Sequence, residues 1–168
     1  LSNSIDGIDL IVFNSKKNLE LINKINIYGN TITKEKVIRS KIKLQPGDYY
    51  RKDLISKTKK QILKTKYVNK VEINKNINNE KLDLDVEITE NKKTGNFLFG
   101  GSFSGDTGFG LAFSIKDYNF LGTGNEVNSE IDINSEKTSF KVDYTSYPLL
   151  NPNIQNKYTL FNLDRDLT

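Results

Sequence analysis

The sequence is defined first by residues that it lacks, because it contains no cysteine, no histidine and no methionine. Without cysteine and histidine there is no disulfide, no thiolate nucleophile, no imidazole metal ligand and no imidazole proton shuttle. There is also no apolar run of about 18 residues, the length that a transmembrane helix needs. We therefore assign no catalytic, cofactor-binding or metal-ligating residue and predict that the chain is not an enzyme.

What is present suits a folded protein, since 36% of the 168 residues are apolar and 27% are charged. This length and composition predict one domain or two small ones. The chain begins with Leu1, and residues 8–13 resemble the end of a strand. We interpret it as an excerpt from a longer protein, in which the absence of a leader peptide carries no information.

Charge divides the chain into two regions. Residues 34–93 hold 17 lysines and arginines against 9 aspartates and glutamates, a balance of +8, whereas residues 94–168 hold 5 against 9, a balance of −4. Such an asymmetry predicts two regions with different surroundings. A lysine-rich helix in the first region most simply presents a solvated face.

Residues 21–90 follow the pattern β-α-α-β-β. A first strand ends at Gly29, and Thr33 then occupies a position suited to a helix N-cap. A second helix over about 52–65 places Leu54, Ile55, Ile62 and Leu63 on one face. Two strands that alternate with period two follow, which predicts a small sheet covered on one face by two helices.

After Glu90 the pattern changes to strands that alternate apolar with polar or tiny residues, as Phe97, Phe99 and Phe103 show in the first of them. Each strand has about the 9 to 11 residues that cross a bilayer at a tilt. A soluble antiparallel sandwich gives the same alternation, so periodicity leaves both architectures open. Glu126, Glu130 and Asp132 share a polar strand face, which a hydrated barrel lumen explains better than acid-base catalysis.

A soluble basic nucleic-acid-binding module is the alternative from another functional class. The lysines of the first region and Gly108-Phe109-Gly110 within an aromatic strand point towards it. The RNA-recognition signature nevertheless fails at four positions, where it requires a basic residue, aromatic residues or a β-branched residue. These are Thr107, Leu111, Ala112 and Ser114.

Several motifs resemble known proteins in order and spacing. The residues that resemble the POTRA pattern are 25–31, Val37-Ile38-Arg39, Pro46-Gly47-Asp48, Leu63, Tyr67-Val68 and Val71. Glu90 with Thr94-Gly95 resembles the junction into a barrel, and a six-residue turn is similar to the first periplasmic hairpin of BamA-type proteins. That turn comprises Asn119, Phe120, Leu121, Gly122, Thr123 and Gly124.

The resemblance implies an α+β fold, in which a POTRA domain at 19–92 precedes the first antiparallel strands of an incomplete transmembrane β-barrel at 93–168. Residues 1–18 would be the tail of a preceding POTRA domain. The implied location is the outer membrane, with the POTRA domain in the periplasm. Lys66 departs from the family pattern, which commonly has a helix-ending glycine at that place.

The implied function is the assembly and insertion of outer-membrane β-barrel proteins. Implied partners are unfolded outer-membrane proteins, accessory lipoproteins and outer-membrane lipid, with no cofactor and no nucleic acid. Related POTRA-barrel polypeptide transporters, TamA-like or of two-partner secretion, share the architecture and remain alternatives.

Three candidate surfaces follow from this implied function. An edge strand of the POTRA sheet would pair with client strands by β-augmentation. The first barrel strand would form a weak lateral gate, because its glycines reduce side-chain packing. Basic side chains would contact lipid or an accessory lipoprotein. The edge comprises Lys70, Val71, Glu72, Ile73, Asn74 and Lys75; the gate comprises Asn96, Phe97, Leu98, Phe99, Gly100, Gly101, Ser102 and Phe103; the basic surface comprises Lys57, Lys59, Lys60 and Lys64.

Overall fold

The computed structural model describes residues 20–78, 81–106, 108–149 and 154–165. The predicted tail of a preceding domain, residues 1–18, lies outside these ranges. Within them, no helix is both long and apolar enough to cross a membrane.

The first unit contains strand β1 (Ile22–Tyr28), helices α1 (Glu35–Arg39) and α2 (Lys52–Leu63), and strands β2 (Val68–Asn78) and β3 (Lys81–Glu90). The strands form a sheet of order β1-β3-β2, with β1 parallel and β2 antiparallel to the central β3. The predicted β-α-α-β-β pattern is confirmed. Residues 79 and 80, predicted to turn between β2 and β3, lie outside the described residues.

An apolar core lies between this sheet and the two helices. Its most buried members include Ile38 of α1, Ile62 of α2 and Leu84 and Val86 of β3. Leu63 does not join them, because one further step of about 100° around the helix turns its side chain outward, where it is 47% exposed. The prediction that it shares the buried face of α2 is wrong.

The opposite face of the first sheet is polar and carries a row of hydrogen bonds across all three strands. Asp85 of β3 accepts hydrogen bonds from the Asn26 amide of β1 at 2.8 Å and from the Asn76 amide of β2 at 3.2 Å. Because these contacts require one pairing of the strands, they help to fix the register of the sheet.

The second unit is a five-stranded antiparallel sheet in which each strand pairs with its neighbours in sequence. Its strands are β4 (Gly95–Ser104), β5 (Gly108–Asp117), β6 (Glu126–Ile133), β7 (Lys137–Ser146) and β8 (Asn156–Arg165). Ladders join β4 to β5, β5 to β6, β6 to β7 and β7 to β8. The predicted succession of long antiparallel strands is confirmed.

One face of the second sheet is apolar and exposed, and Phe103 there reaches 82% exposure. Large apolar side chains of all five strands are exposed on this face: Phe97, Phe99, Phe109, Ile115, Ile131, Phe140 and Leu160. A soluble sandwich would bury such a face against a second sheet, and none of the described residues covers it. The face instead has the character of a lipid-facing barrel wall.

The polar face of the second sheet carries charges of both signs. Glu126 of β6 lies 3.5 Å from the Lys116 ammonium of β5, and Glu130 lies 3.8 Å from that of Lys141. Asp143 of β7 is buried between Lys141 at 3.2 Å and Lys157 of β8 at 3.1 Å. Glu126 and Glu130 therefore belong to ion pairs that link neighbouring strands.

Candidate functional site: two strand edges and their junction

Strand β2 is an accessible edge of the first sheet, whereas the other edge, β1, is covered. The backbone N–H of Gly47 donates to the carbonyl of Ile22 at 2.7 Å, and the N–H of Ile22 donates to Asp48 at 2.9 Å. Further along β1, the Arg39 guanidinium donates to the carbonyl of Ile25 at 3.2 Å. The backbone N–H and C=O groups available for pairing with an added strand therefore lie on β2.

The side chains of the predicted client edge divide between the two faces of β2. Val71 is buried in the core and Ile73 is half-buried against it, whereas Lys70 and Glu72 form an exposed ion pair at 2.6 Å. Asn74 is also exposed. Lys75 differs from the rest, since its ammonium contacts Glu20 and lies 3.7 Å from the centroid of the Tyr50 ring.

Strand β4 is a second edge, since among the described residues it pairs only with β5. All ten of its residues are exposed, including the predicted gate residues 96–103. A Cβ added at Gly100 would have no atom within 4 Å, and one added at Gly101 would come no closer than 3.8 Å. Packing within the chain therefore does not require these glycines, and they leave gaps on the strand surface.

A tight turn joins β5 to β6 at the predicted hairpin. Phe120–Gly122 forms a single 3₁₀ turn. Leu121 has φ of 52°, and Gly122 and Gly124 both have φ of 70°. Glycine adopts these left-handed conformations without the steric cost that a side chain would add.

This turn packs directly against the loop before α1. The backbone N–H of Lys34 donates to the carbonyl of Gly122 at 2.9 Å. A Cβ at Gly122 would lie 2.1 Å from the carbonyl oxygen of Ile32, and one at Gly124 would lie 2.7 Å from Cγ1 of Val37. The two glycines therefore permit the close approach of the two units.

Two buried polar side chains complete the contact, since Asn119 and Thr33 are each only 2% exposed. The Asn119 amide donates to the Thr33 hydroxyl at 2.9 Å, while its carbonyl oxygen accepts the backbone N–H of Gly124 at 2.8 Å. The prediction of Thr33 as a helix N-cap is wrong. Lys34 occupies that position without a side-chain cap, and the hydroxyl of Thr33 is used between the units instead.

Glu90, at the end of β3, holds the same loop from its other side. Its carboxylate accepts hydrogen bonds from the Thr31 hydroxyl at 2.9 Å and from the backbone N–H groups of Ile32 and Thr33, both at 2.7 Å. Burial raises the pKa of Glu90, but these hydrogen bonds outweigh burial and hold the pKa below its usual value. The sequence motif at Glu90 indicates a junction, but it does not predict that the carboxylate binds residues 31–33.

The predicted basic surface lies along α2 and its C-terminal end. Lys57 and Lys60 are exposed, Lys59 is half-exposed, and the ammonium of Lys57 lies 3.8 Å from Asp53. Lys64 is the C-cap residue and lines a cleft between the two units. The four lysines therefore do not form one uniform patch.

Comparisons with known proteins agree with this architecture. The family model described as "POTRA: Surface antigen variable number repeat" matches residues 21–91. The outer membrane protein assembly factor BamA of Buchnera aphidicola is 34% identical over 132 residues, which cover 76% of this chain and 21% of that protein. The chain thus spans about a fifth of that relative's length.

Two solved structures share the fold. BamA from Haemophilus ducreyi lacking POTRA domains 1-3 matches with a TM-score of 0.76 and 23% identity, over 88% of this chain and 28% of that one. CdiB from Acinetobacter baumannii matches with a TM-score of 0.55 and 14% identity, over 86% of this chain and 28% of that one.

The chain is thus a POTRA unit followed by antiparallel strands that match part of a β-barrel. Residues 21–91 belong to the POTRA family. Together with strands β4 to β8, they give the chain the architecture of the corresponding part of a BamA-type outer-membrane assembly protein.

Proposed function

We propose that this chain is part of a machine that folds β-barrel proteins and inserts them into the outer membrane, with its POTRA unit in the periplasm. The observation that carries the proposal is the presence of two strand edges, β2 and β4, on units joined by a buried contact. The BamA relative, named as an outer membrane protein assembly factor, supports the same function.

The physical need is to pair the backbone of the client. An unfolded outer-membrane protein carries N–H and C=O groups that cannot enter lipid without hydrogen-bond partners. Strand β2 supplies such partners by β-augmentation, in which the backbone provides affinity and the client sequence matters little. The exposed Lys70 and Glu72 keep this edge soluble while no client is bound.

Strand β4 has the second role, as a lateral gate that receives the client strand at the membrane. In a complete barrel it closes against the last strand, and Gly100 and Gly101 weaken that closure because they present no side chains for packing. Opening this seam exposes a row of backbone groups on which a client strand can form. The apolar face beside it, with Phe97 and Phe99, lies against lipid.

The basic surface provides a further contact. Lys57, Lys59 and Lys60 project from α2 on the periplasmic unit, where they attract anionic headgroups or acidic side chains of an accessory lipoprotein. Reversal of these three charges should reduce recovery of the complex or binding to anionic vesicles. Unchanged recovery and binding would leave only a solvated face.

A locked gate tests the proposed function most simply. The sequence has no cysteine, so a cysteine introduced into β4 is the only thiol that this region contributes to a disulfide with the last strand. In the complete protein, the disulfide should abolish client assembly, and reduction should restore it. Full assembly activity with the disulfide intact would contradict a gate at β4.

A further inference from the structure

A cleft of about 280 Å³ lies between the POTRA unit and the second sheet, beside the docked turn. Lys41, Lys64 and Lys66 line it from the POTRA unit, and Tyr118, Glu126 and Tyr147 line it from the other side. Its walls therefore combine ammonium groups with phenol rings. None of the three candidate surfaces derived from the sequence includes this cleft as a site.

The negative charge within the cleft is already engaged. The Glu126 carboxylate accepts a hydrogen bond from the Tyr147 hydroxyl at 3.0 Å and lies 3.5 Å from the ammonium of Lys116. Among the described residues, neither Lys41 nor Lys64 has a carboxylate within 4.0 Å. The cleft therefore has an excess of positive charge.

Lys41 is the cation of this cleft whose charged form is least favoured by its surroundings. It is half-buried, and burial, followed by repulsion from Lys43, lowers the pKa of its ammonium group. Its Nζ lies 6.0 Å from the centroid of the Tyr147 ring, which offers a cation only weak compensation. An anion in the cleft would supply the missing partner and form a charge-assisted hydrogen bond.

The Lys66 ammonium lies 3.9 Å from the centroid of the Tyr118 ring, and the Lys116 ammonium lies 4.9 Å from it on the barrel side. These contacts hold the Tyr118 ring in the wall of the cleft. A flat, amphipathic ring beside cations suits a polypeptide, because the ring packs on the aliphatic part of an acidic side chain while the ammonium groups bind its carboxylate.

The surroundings favour a polypeptide over a lipid headgroup. Glu126 lines this cleft and also a neighbouring one of about 290 Å³ on the polar face of the sheet, where Lys116, Lys141 and Lys157 lie beside Glu130 and Asp143. The cleft therefore adjoins the polar face through Glu126, whereas the exposed apolar side chains are on the opposite face of the sheet. A client polypeptide that extends from the POTRA unit to the polar face would contact Lys41, Lys64 and Lys66 in the cleft.

We propose that this cleft binds an acidic segment of a polypeptide, through its Asp or Glu carboxylates, between the POTRA unit and the polar face of the barrel strands. The proposal rests on the proposed function, since it identifies the segment as part of a client chain in transit. Strand β2 would recognise only the backbone of the client, whereas the cleft would recognise the charge of its side chains.

Peptide binding to the complete protein in detergent micelles tests this inference separately from assembly. The probes are two fluorescent peptides of equal length and sequence, except that one carries glutamate where the other carries glutamine. The glutamate peptide should bind about tenfold more tightly, because hydrogen bonds to charged groups are stronger. The double variant Lys41→Gln, Lys64→Gln should remove that preference.

Two control variants keep the result interpretable. Lys52→Gln removes one exposed charge from helix α2, outside both the cleft and the basic surface, and should leave the preference for glutamate intact. Lys41→Arg should retain it as well, because the cation is preserved, and a retained preference also shows that position 41 tolerates a change without loss of the fold.

Three results would overturn the inference: equal affinity for the two peptides, the same preference in the double variant as in the parent protein, or binding of anionic phospholipid vesicles through Lys41 and Lys64 with no peptide binding. If the peptide preference is absent while a reducible β4 disulfide still controls assembly, the cleft proposal fails and the proposed function stands. Loss of the disulfide effect with the peptide preference intact would reject the gate and keep an acidic-peptide site.

Discussion

The two units of the chain differ in where their apolar side chains lie. The POTRA unit buries Ile38, Ile62 and Leu84 between its helices and its sheet, whereas the second sheet exposes Phe99, Phe103 and comparable side chains on one whole face. Burial of apolar surface is the main favourable term in folding in water. The first unit therefore carries its own source of stability, whereas the apolar face of the second sheet is not buried by any of the described residues.

The largest expected effect comes from the core of the POTRA unit. Leu84→Ala should destabilise this unit by about 2 to 5 kcal/mol, because it removes buried methyl groups and leaves a cavity. Amide hydrogen exchange of β1 and β3 in the complete protein measures the change. Leu98→Ala, the same replacement on the exposed strand β4, should leave that exchange unchanged. Equal effects of the two variants would contradict the contrast between the units.

The next effect concerns the junction. Gly122→Ala should separate the units, because its Cβ would lie 2.1 Å from the Ile32 carbonyl oxygen at a backbone φ of 70°. Strain of this kind costs about 1 to 3 kcal/mol before the steric clash is added. In Gly122→Ala, the distribution of distances between spin labels on α2 and β6 should become broader than in the parent protein. Gly100→Ala, where no atom lies within 4 Å of the new Cβ, is the matched control, and a narrow distribution in both variants would contradict a glycine-dependent contact.

A smaller loss at the same junction is expected from Thr33→Val. This change leaves the buried Asn119 amide without the acceptor that it contacts at 2.9 Å, at a cost of about 1 to 3 kcal/mol. Thr33→Ser keeps the hydroxyl and should preserve the junction. The same spin-label distances report the result, and identical behaviour of valine and serine would show that the hydrogen bond is not important.

The smallest effect is a dependence on pH through Glu90. Because its folded-state pKa is lowered, its contribution is fully present above the ordinary glutamate pKa of about 4.3. The contribution is lost as the pH falls through the lowered value. The loop at residues 31–33 should therefore exchange amide hydrogens relatively faster at low pH, after correction for intrinsic rates. Glu90→Gln should flatten this dependence, and an unchanged profile would exclude the carboxylate as its origin.

Local patterns in the sequence predicted the elements of both units but not the contact between them. The motif at residues 119–124 predicts a hairpin, and the place of Thr33 two residues before the first helix predicts an N-cap. Their hydrogen bond joins residues 86 positions apart, and periodicity carries no information over such a separation. Close glycines at 122 and 124 were the available signal, since both permit a backbone approach that larger residues would block.

The candidate edges could be predicted in part. Alternation located β2 and β4, but their positions at sheet edges depend on strand order, which periodicity does not determine. In the structure β2 is an edge because, within the described part of the chain, it pairs only with β3, and it is the accessible edge because Gly47 and Asp48 cover β1 on the other side of the sheet. The basic cleft was not predicted, since its lysines come from two separate segments of the POTRA unit and the phenol ring and carboxylate opposite them, Tyr118 and Glu126, come from the second unit.

We propose that β4 pairs with an incoming client strand, and cross-linking during assembly tests this pairing most directly. The complete protein would carry a single cysteine at Ser102 of the edge strand β4 or at Ser139 of β7, which is paired on both sides. A client with one cysteine in its terminal strand, trapped during assembly, should form a disulfide with position 102 and not with position 139. Equal adducts at both positions, or adducts at 139 alone, would contradict the account.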